Sequence, residues 1–110
     1  MNPEYKTRWL AALRDGARTQ GKTYLKQKLE DGSYAYCCLG VAAEIFSKEL
    51  LIQRSELHGT ILFDGLAGFP AIRLRGAMGI SSRTCMTLAE MNDKHGKSFE
   101  EIADWIDANE

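Results

Sequence analysis

Apolar residues first recur at helical spacing. Tyr5, Trp9, Ala12 and Leu13 share one face, Pro3 suits a first helical turn and Gly16 offers a stop, so a helix is predicted over about 4–15. Residues 17–36 change period. Thr23, Leu25, Gln27 and Leu29 alternate with Lys22, Tyr24, Lys26 and Lys28, which is a strand with one basic face. Asp31-Gly32 then reads as a two-residue hairpin turn, with Ser33, Tyr34, Ala35 and Tyr36 returning. From Cys37 to Phe46 the chain is almost wholly apolar until Glu44, the signature of a buried helix, over about 37–49. Gly40 inside it costs roughly 1 kcal/mol against alanine, which points to a close approach by a backbone, a ligand or a crossing helix.

Glycines punctuate residues 50–80. Leu50-Leu51-Ile52, Thr60-Ile61-Leu62-Phe63 and Ala71-Ile72-Arg73-Leu74-Arg75 are candidate short strands, with Asp64-Gly65 as a turn and loop as the alternative. Beyond them Ser81 or Ser82 can cap a helix carrying Met86, Leu88, Ala89 and Met91, and Gly96 breaks it. Ser98-Phe99-Glu100-Glu101 has the capping-box spacing, and Phe99, Ile102, Ala103 and Ile106 follow as one apolar stripe. The last two segments form a helical hairpin packed through Leu88, Met91, Phe99, Ile102 and Ile106. The expected fold class is α+β: a small single domain over residues 1–110, with an N-terminal helix, a β-hairpin, a buried helix, short irregular strands and a C-terminal helical hairpin.

Length and composition leave that picture intact. With 110 residues, 45% hydrophobic and 26% charged, the chain suits one domain and one core without metal or disulfide staples. Charge adds a detail. The net is −1, so no global field draws the protein to nucleic acid or membrane. Yet residues 1–30 carry a net +4 and residues 31–110 a net −5. Such halves can face different partners, or attract each other within the fold or between subunits. A symmetric homo-oligomer is the expectation for the second case. The longest apolar runs fall far short of the roughly 20 residues of a spanning helix. Three cysteines make a poor disulfide framework, and the start Met-Asn-Pro-Glu-Tyr-Lys lacks an apolar leader, so a reducing cytoplasm is the expected compartment.

Candidate chemistry is sparse. Cys37-Cys38 opens a helix and is expected to be two small buried hydrophobes; the alternative is a thiol whose pKa the amide dipoles lower, supporting a thiol-dependent enzyme. His58 and His95 fall in loops, and no spacing pairs either with a cysteine. Adjacent cysteines with a distant Cys85 do not match a zinc pattern, and no glycine loop matches a P-loop or dinucleotide fingerprint, so neither metal nor cofactor is expected. Glu100, Glu101, Asp104 and Asp107 read as the solvated face of the last helix. Nucleic acid is disfavoured because that helix is acidic, although tyrosines beside lysines in the hairpin resemble a single-strand binder. The preferred contact site is Arg18, Gln20, Gly21 and Lys22, with Tyr24 and Tyr36: cations and backbone amides for phosphate, rings for a base. A solvated turn, with Lys22, Lys26 and Lys28 guarding a strand edge, is the alternative.

The chain resembles a set of small uncharacterised proteins encoded largely by bacteriophages. The resemblance rests on Trp9-x2-Ala12-Leu13-Arg14-x-Gly16, Gln20-Gly21 and Tyr36-Cys37-Cys38-Leu39-Gly40-Val41, resuming at Leu88-x2-Met91-Asn92-Asp93 and at Ser98-Phe99-Glu100-Glu101-Ile102-Ala103-Asp104-x-Ile106. It covers about half the chain and skips 48–80; the family usually has leucine where this chain has Met91. No activity comes with it. What it implies is a phage origin, and with it a non-enzymatic counter-defence protein that sequesters a nucleotide-derived signal. The alternative is an inhibitor docked on a host protein through the acidic last helix.

Overall fold

The computed structural model describes all 110 residues. Five helices pack with a five-stranded mixed sheet, so the protein is a small α+β domain. Helix α1 spans Pro3–Arg14; the Asn2 side chain caps it, accepting from the amides of Glu4 and Tyr5, and Pro3 sits where a missing N–H is harmless. Strand β1 (Thr19–Gln20) lies parallel to β3 (Tyr34–Tyr36), and β3 pairs antiparallel with β2 (Lys26–Lys28). Helix α2 (Cys38–Phe46) follows, then β4 (Arg54–Leu57), β5 (Thr60–Phe63), α3 (Ile72–Met78), α4 (Ser82–Asp93) and α5 (Phe99–Asn109). The sheet order is β1-β3-β2-β5-β4. No helix is long and apolar enough to cross a membrane.

Helix α2 is the axis of the core, buried on nearly every side, as its run of apolar residues requires. Trp9 donates its indole N–H to the Cys38 carbonyl, 3.0 Å away, and the rings of Tyr5 and Phe46 meet in a T-shaped pair. Gly40 marks the close approach its position suggested, and the neighbour is backbone. A Cβ there would lie 1.6 Å from the Leu25 carbonyl oxygen, so helix and chain touch main chain to main chain.

The hairpin β2–β3 forms with a longer loop than expected. Leu29 and Ser33 close three residues, with Gly32 at φ 88°, the common three-residue geometry. The basic face does not form. Strand β2 begins only at Lys26, because Thr23 adopts φ 73° and the Leu25 amide bonds Ala67 instead of a strand. Lys26 is buried, its ammonium 3.0 Å from Glu44 and over the rings of Tyr34 and Tyr36. Nor do Lys26 and Lys28 guard an edge, since β2 is an interior strand.

Two of the three short strands expected in 50–80 are not strands. The amides of Leu50 and Ile52 bond back to Phe46 and Ser47, so this segment finishes the end of α2 and has no amides left for a ladder. Ala71–Arg75 is the cap and first turn of α3, whose Leu74 and Met78 bury at helical spacing and whose Gly79 closes it at φ 70°. Only Thr60–Phe63 is a strand as expected, and its partner β4 carried no sequence signal. In α4, Ser81 is the cap, and Cys85, Leu88 and Asn92 make the buried face, with Met86 exposed. Ser98 and Glu101 form the capping box of α5. That helix packs on α1 as well as α4. Arg14 reaches Asp104 at 2.7 Å and Lys6 reaches Asp107 at 3.9 Å, so the basic start and the acidic end of the chain meet inside one molecule.

Candidate functional site

The site begins with one buried side chain. Asn92, in the last turn of α4, is 1% exposed and uses its whole amide. Its Nδ2 donates to the Gly21 carbonyl and to Asp93 Oδ1, both at 2.8 Å. Its Oδ1 accepts from Gln20 Nε2 at 2.8 Å and from the Cys38 amide at 3.2 Å. Gln20 is used as fully: its Nε2 also donates to the Lys97 carbonyl, and its Oε1 accepts from the Phe99 amide at 3.0 Å. Two side-chain amides thus serve the free N–H groups at the starts of α2 and α5 and tie them to the strand β1. Such a satisfied polar network holds its members in one geometry.

Over this network lies an open hollow of about 280 Å³ walled by Gln20, Gly21, Lys22, Asn92, Gly96 and Lys97. No wall residue is apolar. Lys22 and Lys97 form no ion pair, and the amides of Lys22 and Gly96 have no acceptor within the chain. Asp93, beside them, is occupied by the N–H groups of Thr23 and Asn92 on one oxygen. The chemistry of the hollow is therefore donor-rich and positive, suited to an anion.

The six residues singled out from the sequence divide. Gln20, Gly21 and Lys22 meet at the hollow; Arg18, Tyr24 and Tyr36 are not among its walls. Arg18 turns to Asp15, 3.8 Å away, and stacks over Tyr36, whose ring is buried. Tyr24 is exposed elsewhere. The glycine has a different reason from the one expected. The Gly21 amide is spent on the Tyr36 carbonyl, and a Cβ there would come within 2.9 Å of Ala35 Cβ, so the residue is small for packing. Asn92, Gly96 and Lys97 were not singled out as a site. Asn92-Asp93 and Gly96 were visible as a motif and a helix break, but nothing local ties them to Gln20, 72 residues away.

The thiols are buried, as expected of two small hydrophobes, and are not activated by the amide dipoles at the helix start. Cys37 caps α2, accepting from the Gly40 amide at 3.4 Å, yet burial pushes its pKa up to about 11. Cys38 is wholly buried, donates to the Leu88 carbonyl and is raised further, mainly by burial. Burial raises Cys85 to about 11 as well. All three are free, and desolvation outweighs the amide dipoles at the helix start. No cluster of three or more His, Cys, Asp or Glu side chains is arranged to hold a metal ion.

No curated protein and no solved structure matches the chain. A family model does match, over residues 1–61, which carry α1, the Gln20–Lys22 wall and α2. With more than half of its length so matched, the chain belongs to the family described as a domain of unknown function (DUF8296).

Proposed function

We propose that the protein is a non-enzymatic binder of a small phosphate-bearing anion, of the nucleotide-derived type, held in the hollow between β1 and the α4–α5 connection. One observation carries the reading: two lysines without ion-pair partners and two amides without acceptors border a hollow with no apolar wall. The base-stacking part of the expectation has no support there, since Tyr24 and Tyr36 lie elsewhere; recognition falls on the phosphate. Buried, protonated thiols argue against the thiol-enzyme alternative. The acidic face expected to dock on a host protein is partly committed to α1 through Asp104 and Asp107. The resemblance to phage-encoded proteins supplies the setting, in which the protein sequesters a nucleotide-derived immune signal in the host cytoplasm.

Thermal shift and calorimetry against pyrophosphate, mononucleotides and cyclic dinucleotides test this. At a hundredfold excess over Kd a bound anion adds roughly 2.7 kcal/mol of stability. Charge-assisted hydrogen bonds contribute about 1.5–3 kcal/mol each, so Lys22→Ala with Lys97→Ala should weaken binding by a hundredfold or more. Arg18→Ala should leave it unchanged. Absence of binding by every anion in the panel, or full binding by the double lysine variant, would sink the reading.

A further inference from the structure

The sheet ends on an open edge. Strand β4 is its last strand, all four of its residues are exposed, and it contains no proline or bulge; what guards it is one charge of each sign, Arg54 and Glu56. The turn joining it to β5 fixes which groups face outward. His58 and Gly59 both have positive φ, at 51° and 85°, the two-residue turn that makes its flanking pair, Leu57 and Thr60, a hydrogen-bonded one. Alternation then turns the N–H and C=O groups of Ser55 toward Leu62. Gln53 fits the same phase, its carbonyl accepting from the Asp64 amide at 2.7 Å. The N–H and C=O groups of Arg54 and Glu56 are left pointing away from the sheet.

We propose that this edge pairs with the same edge of a second copy, antiparallel and centred on Ser55, joining two five-stranded sheets into one. Charge selects both the partner and the register. With Ser55 opposite its counterpart on the two-fold axis, Arg54 stands opposite Glu56 of the other copy and Glu56 opposite its Arg54. Each such pair is a hydrogen-bonded one, so four main-chain hydrogen bonds form. Moving the axis one residue either way sets arginine against arginine or glutamate against glutamate, which is unfavourable for directly opposed residues. Glu56 has no ion pair within its own chain, whereas Arg54 holds Glu44 with one nitrogen at 3.3 Å and keeps other donors free. An arbitrary strand meets an uncompensated charge pattern here; a second copy neutralises it. Leu57, strongly exposed, is the last residue of the same strand.

Sedimentation from micromolar to millimolar protein should show the mass rising from 12.3 kDa towards twice that value. Glu56→Arg alone and Arg54→Glu alone should each abolish the dimer. An equimolar mixture of the two restores opposite charges at both pairs and should restore it. Should Arg54→Glu unfold through loss of its bond to Glu44, Glu56→Pro serves in its place, because it removes an outward N–H and the Glu56 charge while leaving the hydrogen bonds to β5 intact. The register has its own readout. Opposed Cα atoms at a non-hydrogen-bonded pair lie about 4.5 Å apart, within disulfide range. Ser55→Cys should therefore oxidise rapidly to a covalent dimer, and Leu57→Cys should not; the native thiols are buried and stay out of the reaction. A wild-type mass fixed at 12.3 kDa up to millimolar concentration would overturn the proposal. So would a dimer that survives Glu56→Arg, or cross-linking no faster at 55 than at 57.

Discussion

Gly40 decides how near α2 can come to the chain leading into β2. Replacing it with alanine would add helix propensity worth roughly 1 kcal/mol. The new methyl, however, would sit 1.6 Å from a carbonyl oxygen, and neither main chain can swing aside as a side-chain tip can. Gly40→Ala should therefore destabilise by about 3 kcal/mol or more, read as a fall in the urea midpoint with the slope unchanged. That need for a small residue was legible, because an apolar helical run gains nothing from a glycine unless something packs close against it. The part played by Asn92 was not. An asparagine near a helix end reads as surface, and only the fold brings it under Gln20, Gly21 and Cys38, where four hydrogen bonds offset its burial. The same blindness made Arg18 and the tyrosines look better candidates than Lys97: a sequence registers cations and rings, not which of them already have partners.

Elements whose signals are local formed as read. The clearest is α5, where Ser98 accepts from the Glu101 amide at 3.1 Å and Glu101 accepts from the Ser98 amide at 3.0 Å. The exchange holds the Glu101 carboxyl below its ordinary range, the hydrogen bonds with Ser98 being the main cause. Ser98→Ala should cost about 1 kcal/mol of stability, and thermal or urea unfolding of that variant checks it. Helices α1 and α4 were readable from a cap or stop joined to a periodic apolar face, and α2 from an unbroken apolar run. The segment 50–80 was not. Strand β4 is exposed at every position and so has no alternation, while α3 is only seven residues long, too short to display its period. A short apolar run there fits strand, helix or loop equally well, and tertiary packing chooses between them.

At the scale of the whole molecule, the three buried thiols link stability to pH. Their folded pKa values lie above those of the unfolded chain, so between about pH 9 and 11 the unfolded chain releases protons that the folded one keeps. Stability is thus fully present below about pH 9 and declines as pH rises, by about 3 kcal/mol in all for Cys37 alone. Urea midpoints at about pH 8 and about pH 10.5 measure the fall, and Cys37→Ala should make it shallower; an equal fall in that variant would assign it to other groups. The ends of the chain are joined in the same closed arrangement, α1 to α5 by ion pairs and β1 to α4 by the two amides. This has a temporal consequence. A ribosome delivers Gln20 72 residues ahead of Asn92, an interval of roughly 4–14 s at common elongation speeds. Throughout it the emerging segment has no Asn92 to complete its amide network and no α5 to cover α1, so α1 and β1 must remain open until α4 and α5 have been made.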